Sequence, residues 1–303
     1  MMGKKMRKRM TAFLLAATVL LSPATTTDAK TDVPLDDYED IVATYSIDSS
    51  MLGYEEYAAQ YGDVHPDETY VIDAADYVRF TKGETDAAGN DVEATPTTYE
   101  DYEGMEGTSV LMEDEGLIEY EVDIRTEGFY ELALDYYPVE GNSADIQRAF
   151  FVDGKLLYNE LALVEFQRVW KNTVEGTLVN EDGILVKDWA KDNQGNDLKP
   201  SMEEAPEWMT DSYLYDADGY ITNRLSIYLT TGRHTITIVS RREPMLLRRM
   251  KLSNESRVAT YAEKKAEWDA QGASDTSGKV IRLEAENATK AASQMLYPMQ
   301  DQS

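Results

Sequence analysis

From residue 130 to residue 136 every second side chain is apolar (Tyr130, Leu132, Leu134, Tyr136), the period of a strand with one buried face. The break Pro138-Val139-Glu140-Gly141-Asn142-Ser143 is turn chemistry. A second strand follows over 149–152, and Asp153-Gly154 signals a tight turn. This pair, residues 128–154, is expected to organise the chain, with the other strands packing around it.

The same reading extends both ways. Residues 51–62 place Tyr54, Tyr57 and Tyr61 at helical spacing before Gly62, a helix stop. Strands are expected over 69–80 and over 112–124, where Ile118, Tyr120, Val122 and Ile124 alternate with Glu119, Glu121 and Asp123. The Gly-, Asp- and Thr-rich residues 83–98 read as a loop. Leu225, Ile227 and Leu229 form one strand and residues 235–239 another, joined by Thr231-Gly232-Arg233 as a tight hairpin. A last strand over 245–252 sets Leu246, Met250 and Leu252 against Arg248, Arg249 and Lys251. Residues 168–223 lack a period and contain Trp170, Trp189 and Trp208. The expected fold is therefore mainly β: an antiparallel β-sandwich of jelly-roll type, with short flanking helices and a long irregular insertion. No strand–helix–strand alternation supports a parallel sheet.

Composition narrows the chemistry. The 303 residues carry 57 Asp and Glu against 29 Lys and Arg, a net charge of −28. Such a chain repels nucleic acid, so no nucleic-acid partner is expected. The absence of cysteine excludes disulfides, thiolate metal sites, a cysteine nucleophile and a lipid-modified cysteine anchor. Two histidines far apart, His65 and His234, do not suggest a zinc site. There is no Gly-x-Ser-x-Gly elbow and no phosphate-cradling glycine loop. The acidic residues are too many for any one pair to point to glycoside hydrolysis.

The ends read as appendages. Residues 1–29 resemble a secretory signal: Lys4, Lys5, Arg7, Lys8 and Arg9, then a short apolar run, then small residues before Ala24 and Ala29, either of which suits cleavage. An extracellular or cell-surface location follows. Residues 30–50 read as an acidic spacer and 51–253 as the β-sandwich module. Residues 254–278 read as a helical linker, charged and alanine-rich around Tyr261 and Trp268. From Tyr261 on, the chain echoes the order near Tyr54: a Tyr-led helix, a Gly-containing break, then, within residues 279–303, Leu283-Glu284-Ala285-Glu286-Asn287 in place of Ile72-Asp73-Ala74-Ala75-Asp76. Residues 279–303 are expected to begin a second, truncated β module, which makes the chain an N-terminal fragment.

Several stretches carry a resemblance. The opening Ile72-Asp73-Ala74-Ala75-Asp76-Tyr77, then Gly128-Phe129-Tyr130-Glu131-Leu132, Val152-Asp153-Gly154 and Gly232-Arg233-His234-Thr235-Ile236, look like carbohydrate-binding jelly rolls with a galactose-binding-like fold. More narrowly, Tyr136-Tyr137-Pro138-Val139-Glu140-Gly141, Arg148-Ala149-Phe150-Phe151-Val152, Phe166-Gln167-Arg168-Val169-Trp170, Gly195-Asn196-Asp197-Leu198-Lys199-Pro200, Arg242-Glu243-Pro244-Met245 and Leu296-Tyr297-Pro298 resemble the N-terminal region of extracellular solute-binding proteins of bacterial carbohydrate ABC transporters. The resemblance spans about residues 50–303. It implies a non-catalytic module, an oligo- or polysaccharide ligand, and an ABC permease as partner through a two-lobed domain that this sequence does not contain. Such jelly rolls often open on Glu-Ala-Glu, whose carboxylates hold a structural calcium. Here the motif is Asp73-Ala74-Ala75, lacking the second carboxylate, which argues against calcium in this module. No cofactor is expected.

Sugar recognition stacks an aromatic ring on the apolar face of a pyranose, while amide, carboxylate or guanidinium groups read its hydroxyls. The candidate platform is Tyr137, Trp170 and Trp189, and the candidate polar groups are Arg168, Asn193, Asn196 and Asp197. The competing structural reading is that these residues fasten the long insertion to the sandwich. Two other functions stay open: an accessory module of a secreted glycoside-active enzyme, and a cell-surface module that binds protein.

Overall fold

The computed structural model describes residues 33–34, 51–89, 91–173, 178–179, 185–186, 192–195, 201–254, 260–273, 278, 280 and 290–294. The strands are β1 (Val33–Pro34), β2 (Tyr70–Asp73), β3 (Arg79–Thr85), β4 (Asp91–Glu93), β5 (Thr98–Glu100), β6 (Thr108–Met112) and β7 (Leu117–Ile124). They continue with β8 (Gly128–Pro138), β9 (Ile146–Val152), β10 (Lys155–Leu156), β11 (Val164–Phe166), β12 (Trp170–Asn172), β13 (Leu178–Val179) and β14 (Leu185–Val186). The last are β15 (Met202–Glu204), β16 (Met209–Tyr213), β17 (Ser226–Leu229), β18 (Gly232–Arg242) and β19 (Met245–Ser253). Two helices, α1 (Tyr54–Ala58) and α2 (Tyr261–Ala270), flank them.

Two antiparallel sheets form the sandwich. The first runs β1-β10-β9-β18-β7-β3-β4, with β11 also on β9, and the second runs β16-β8-β19-β6-β5, with β17 also on β8 and β2 also on β19. Period-2 alternation does what the sequence implies. Ile118, Tyr120, Val122 and Ile124 of β7 are buried, as are Tyr130, Leu132, Leu134 and Tyr136 of β8, and both sets belong to one core. Burying each such side chain contributes about 1.5–3 kcal/mol. Asp153 (φ 51) and Gly154 (φ 72) make the expected turn between β9 and β10.

Pairing differs from expectation in two places. β8 and β9 are not neighbours: β8 pairs with β19, β16 and β17, and β9 pairs with β18, β10 and β11. The expected hairpin around Thr231-Gly232-Arg233 is likewise a corner, because β17 lies on β8 in the second sheet while β18 lies between β7 and β9 in the first. Alternation fixes which face is buried but not which neighbour completes the ladder, and an arch between sheets has the same pattern as a hairpin.

Smaller differences have local causes. β19 has a bulge between Leu247 and Arg249, so Met245, Leu247, Met250 and Leu252 face the core and Leu246 does not join it. Residues 83–98, expected as a loop, hold the end of β3 with β4 at the sheet edge, and also the start of β5. Within the acidic spacer, β1 pairs with β10. Past the linker, Ala291 forms an antiparallel bridge with Trp170. α2 has a Thr260–Glu263 capping box and buries no side chain. No described helix is long and apolar enough to cross a membrane. Residues 1–29 and the Glu284-Ala285-Glu286 motif lie outside the described residues.

Candidate functional site

The side of β8 that points away from the core is buried too. Ala133, Asp135 and Tyr137 are 2%, 3% and 7% exposed, and none belongs to the core cluster. Successive strand residues point to opposite faces, so these three share the outer face of the second sheet.

Charged pairs cover the middle of that face. Arg249 Nε donates to Asp135 Oδ2 at 2.5 Å, and the Asp211 amide donates to Asp135 Oδ1 at 2.8 Å. Lys251 pairs with Asp211 at 2.5 Å. Arg224 donates to Glu131 at 2.8 Å, with its guanidinium carbon 3.6 Å from the centre of the Tyr213 ring. Cation–π contacts that solvent still reaches contribute about 0.5–1 kcal/mol.

An aromatic wall closes one end. The Tyr137 ring lies 5.2 Å from Tyr102 at 84° and 5.5 Å from Trp208 at 60°. Tyr99, on the edge strand β5, packs on Tyr102 at 5.4 Å and is 37% exposed. Trp208 Nε1 donates to the Tyr102 carbonyl at 2.8 Å, and the Tyr137 hydroxyl donates to the Pro206 carbonyl at 3.3 Å. Burial holds the Tyr137 phenol above its ordinary pKa, and the nearby Glu103 carboxylate adds to this. Tyr102 sits between Asp101 and Glu103, both at φ 47, a left-handed backbone that costs about 1–3 kcal/mol per residue and clusters at functional sites.

At the other end, β16 and β17 occupy the same edge of β8 in succession. The chain leaves that edge after Leu214, whose amide donates to the Leu132 carbonyl at 3.2 Å, and returns at Leu225, whose amide donates to the Leu214 carbonyl at 2.9 Å and closes the base. At the tip the Asp216 carboxylate accepts from the amides of Asp218, Tyr220 and Ile221 at 3.1, 2.8 and 3.0 Å. This fixes the turn that carries Tyr220, 89% exposed. Asp216-Ala217-Asp218-Gly219 is thus a self-capped turn.

Of the residues singled out from sequence, Tyr137 forms the base of the aromatic wall. Arg168 does not reach the surface. Its side chain is fully buried, donating to the Ala144 and Val139 carbonyls at 2.8 and 2.9 Å and to Glu204 and Glu243 at 2.8 Å each. It fastens the arch between β8 and β9. Trp170 is 5% exposed and starts β12, which pairs with β15. Asn193 lies exposed in a turn beside Asp192. Trp189, Asn196 and Asp197 lie outside the described residues. Sequence reasoning missed Tyr99, Tyr102 and Trp208, and the row Asp135, Asp211, Tyr213, Arg224, Arg249 and Lys251. Only the doublets Asp135-Tyr136-Tyr137 and Tyr99-Glu100-Asp101-Tyr102 hinted at them.

Metal chemistry has no visible centre: among the described residues no three His, Asp or Glu side chains converge. The Asp73 carboxylate accepts from Arg248 at 2.7 Å.

No family model matches the sequence, and no curated protein does. Among solved structures, the chain is similar to a family 35 carbohydrate-binding module from Clostridium thermocellum, at 14% identity and TM-score 0.29, covering 61% of this chain and 97% of that one. The family 35 module of Cellvibrio japonicus Abf62 is similar at 10% identity and TM-score 0.33, covering 64% and 99%. The Podospora anserina GH26-CBM35 β-(1,4)-mannanase is similar at 13% identity and TM-score 0.32, and this chain covers 35% of its length.

Proposed function

We propose that this chain is an exported, non-catalytic β-sandwich module that binds neutral oligo- or polysaccharide on the outer face of its second sheet. One observation carries the reading. Tyr99 on β5, Tyr102 in the turn that follows it and Trp208 just before β16, all partly open to solvent, cluster beside a row of carboxylates and cations. A pyranose stacks its C–H face on such rings, and the charged row supplies donors and acceptors for its hydroxyls. The net charge of −28 disfavours polyanionic glycans. We place the module in an extracellular solute-binding protein serving a carbohydrate ABC transporter, on the strength of the ordered sequence stretches that resemble that family.

A glycan array followed by calorimetric titration tests the binding. Binding to at least one neutral glycan, weakened by Trp208→Ala, is expected. Silence of the folded protein across the array rules the reading out. The transporter assignment is tested by deleting the chain from its host, which is expected to slow uptake of the bound glycan. Unchanged uptake rules out that assignment alone.

A further inference from the structure

Residues 204–208 run along the rim of the aromatic wall, and each is tied to a residue elsewhere in the chain. Glu204 accepts from Arg168 at 2.8 Å, and the Ala205 amide donates to the Val169 carbonyl at 2.7 Å. The Pro206 carbonyl accepts from Tyr137, Glu207 pairs with Lys290, and Trp208 donates to the Tyr102 carbonyl. The Glu207 tie alone comes from beyond α2. It is continuous with a strand contact: the Trp170 amide donates to the Ala291 carbonyl at 2.8 Å and the Ala291 amide returns to the Trp170 carbonyl at 2.7 Å. This is the closely spaced bond pair of an antiparallel ladder. With β15 on the other edge of β12, Ala291 adds a one-residue bridge on the edge that β15 leaves open.

We propose that Lys290 and Ala291 are positioning residues for the glycan face, acting as a strap that sets the rim bearing Trp208. Docking of this strap and glycan occupancy favour each other. The proposal rests on the reading that this face binds glycan. The two described ties of Lys290 and Ala291 are individually modest. Both members of the Lys290–Glu207 pair are 44% exposed, where an ion pair contributes little, and the Ala291 bridge adds one reciprocal pair of backbone hydrogen bonds. The preceding helix α2 buries no side chain and so adds no anchor. Coupling between two sites is reciprocal: whatever the strap adds to glycan affinity, glycan adds to strap docking. Occupancy of the sheet face is therefore felt by the chain beyond α2.

The test uses the full chain and a soluble oligosaccharide selected on the array. Lys290→Glu reverses the ion pair, and Ala291→Pro removes the amide donor. Each is expected to weaken glycan binding roughly 3- to 10-fold. The swap Lys290→Glu with Glu207→Lys is expected to restore it, which a merely structural lesion would not do. Saturating glycan is expected to slow exchange of the Ala291 amide. Undiminished affinity in both single variants, or an Ala291 exchange rate that glycan leaves unchanged, overturns the proposal. A ligand-free readout separates its failure from that of the glycan reading. In protein labelled with fluorotryptophan, the Trp208 resonance, assigned with Trp208→Phe, is expected to move in Lys290→Glu and return in the swap. If it stays in place, the strap does not position the rim, whatever the face binds.

Discussion

Arg168 and Glu243 meet inside the protein at 2.8 Å, with side chains 0% and 1% exposed. Glu243 also accepts from the Asn142 amide at 2.8 Å, and Arg168 reaches the Val139 and Ala144 carbonyls, so the pair clamps both ends of the arch from β8 to β9. Removing one partner strands a buried charge. Arg168→Met is expected to lower stability by about 3–5 kcal/mol in urea denaturation. Arg168→Lys is expected not to rescue it, because an ammonium cannot serve acceptors lying in several directions along a planar fork. Adding Glu243→Gln to Arg168→Met is expected to cost less than the sum of the two single changes.

Trp208→Ala and Tyr102→Ala are expected to weaken glycan binding at least tenfold, about 1.4 kcal/mol, by calorimetry. Asn193→Ala, at an exposed turn position, is expected to leave affinity within twofold, about 0.4 kcal/mol. Equal losses in all three would place the ligand elsewhere.

Gly128 opens the central strand at φ 153, and a Cβ there would lie 2.6 Å from Pro66 Cδ and 2.7 Å from the Val64 carbonyl. The neighbouring Phe129 amide donates to that carbonyl at 2.8 Å. Gly128→Ala is expected to cost about 2 kcal/mol or more, seen as a lower denaturation midpoint with an unchanged slope.

Burial holds the Glu160 carboxyl above its ordinary value of 4.5, and the Asp216 and Glu55 carboxylates add to this. The folded state therefore binds this proton more tightly than the unfolded state does. The contribution is fully present below pH 4.5 and is lost as pH rises through the raised folded value. Glu160→Gln keeps an acceptor for the Tyr54 amide, which now donates to Glu160 at 3.0 Å. The variant is expected to match the parent at acid pH and to gain on it towards neutrality. A melting curve that is parallel to the parent at every pH would contradict this.

The faces of β7 and β8 were legible because alternation at Ile118, Tyr120, Val122, Leu132 and Leu134 directly encodes a buried side. The neighbours of those strands were not legible. Thr231-Gly232-Arg233 suits a hairpin as well as a corner, and only the three-dimensional packing chose the corner. The candidate site was obscured for a related reason. Ala133, Asp135 and Tyr137 look like a solvent face in a period-2 pattern, yet they are covered by side chains from remote strands. Trp208 lies in a stretch with no period at all, while Trp170 and Arg168, chemically suggestive in sequence, went to the interior.

The excursion between β16 and β17 begins and ends on one edge of β8, closed at its neck by Leu214 and Leu225. Its length and composition are thus uncoupled from the register of the strands on either side. Residues 217–220 at its tip amount to an exchangeable cassette: they can be lengthened, shortened or rewritten around Tyr220 while Ile221 stays packed on the core and Arg224 stays on Glu131 and Tyr213. A scaffold of this kind can change what it selects without having to be refolded around each new choice.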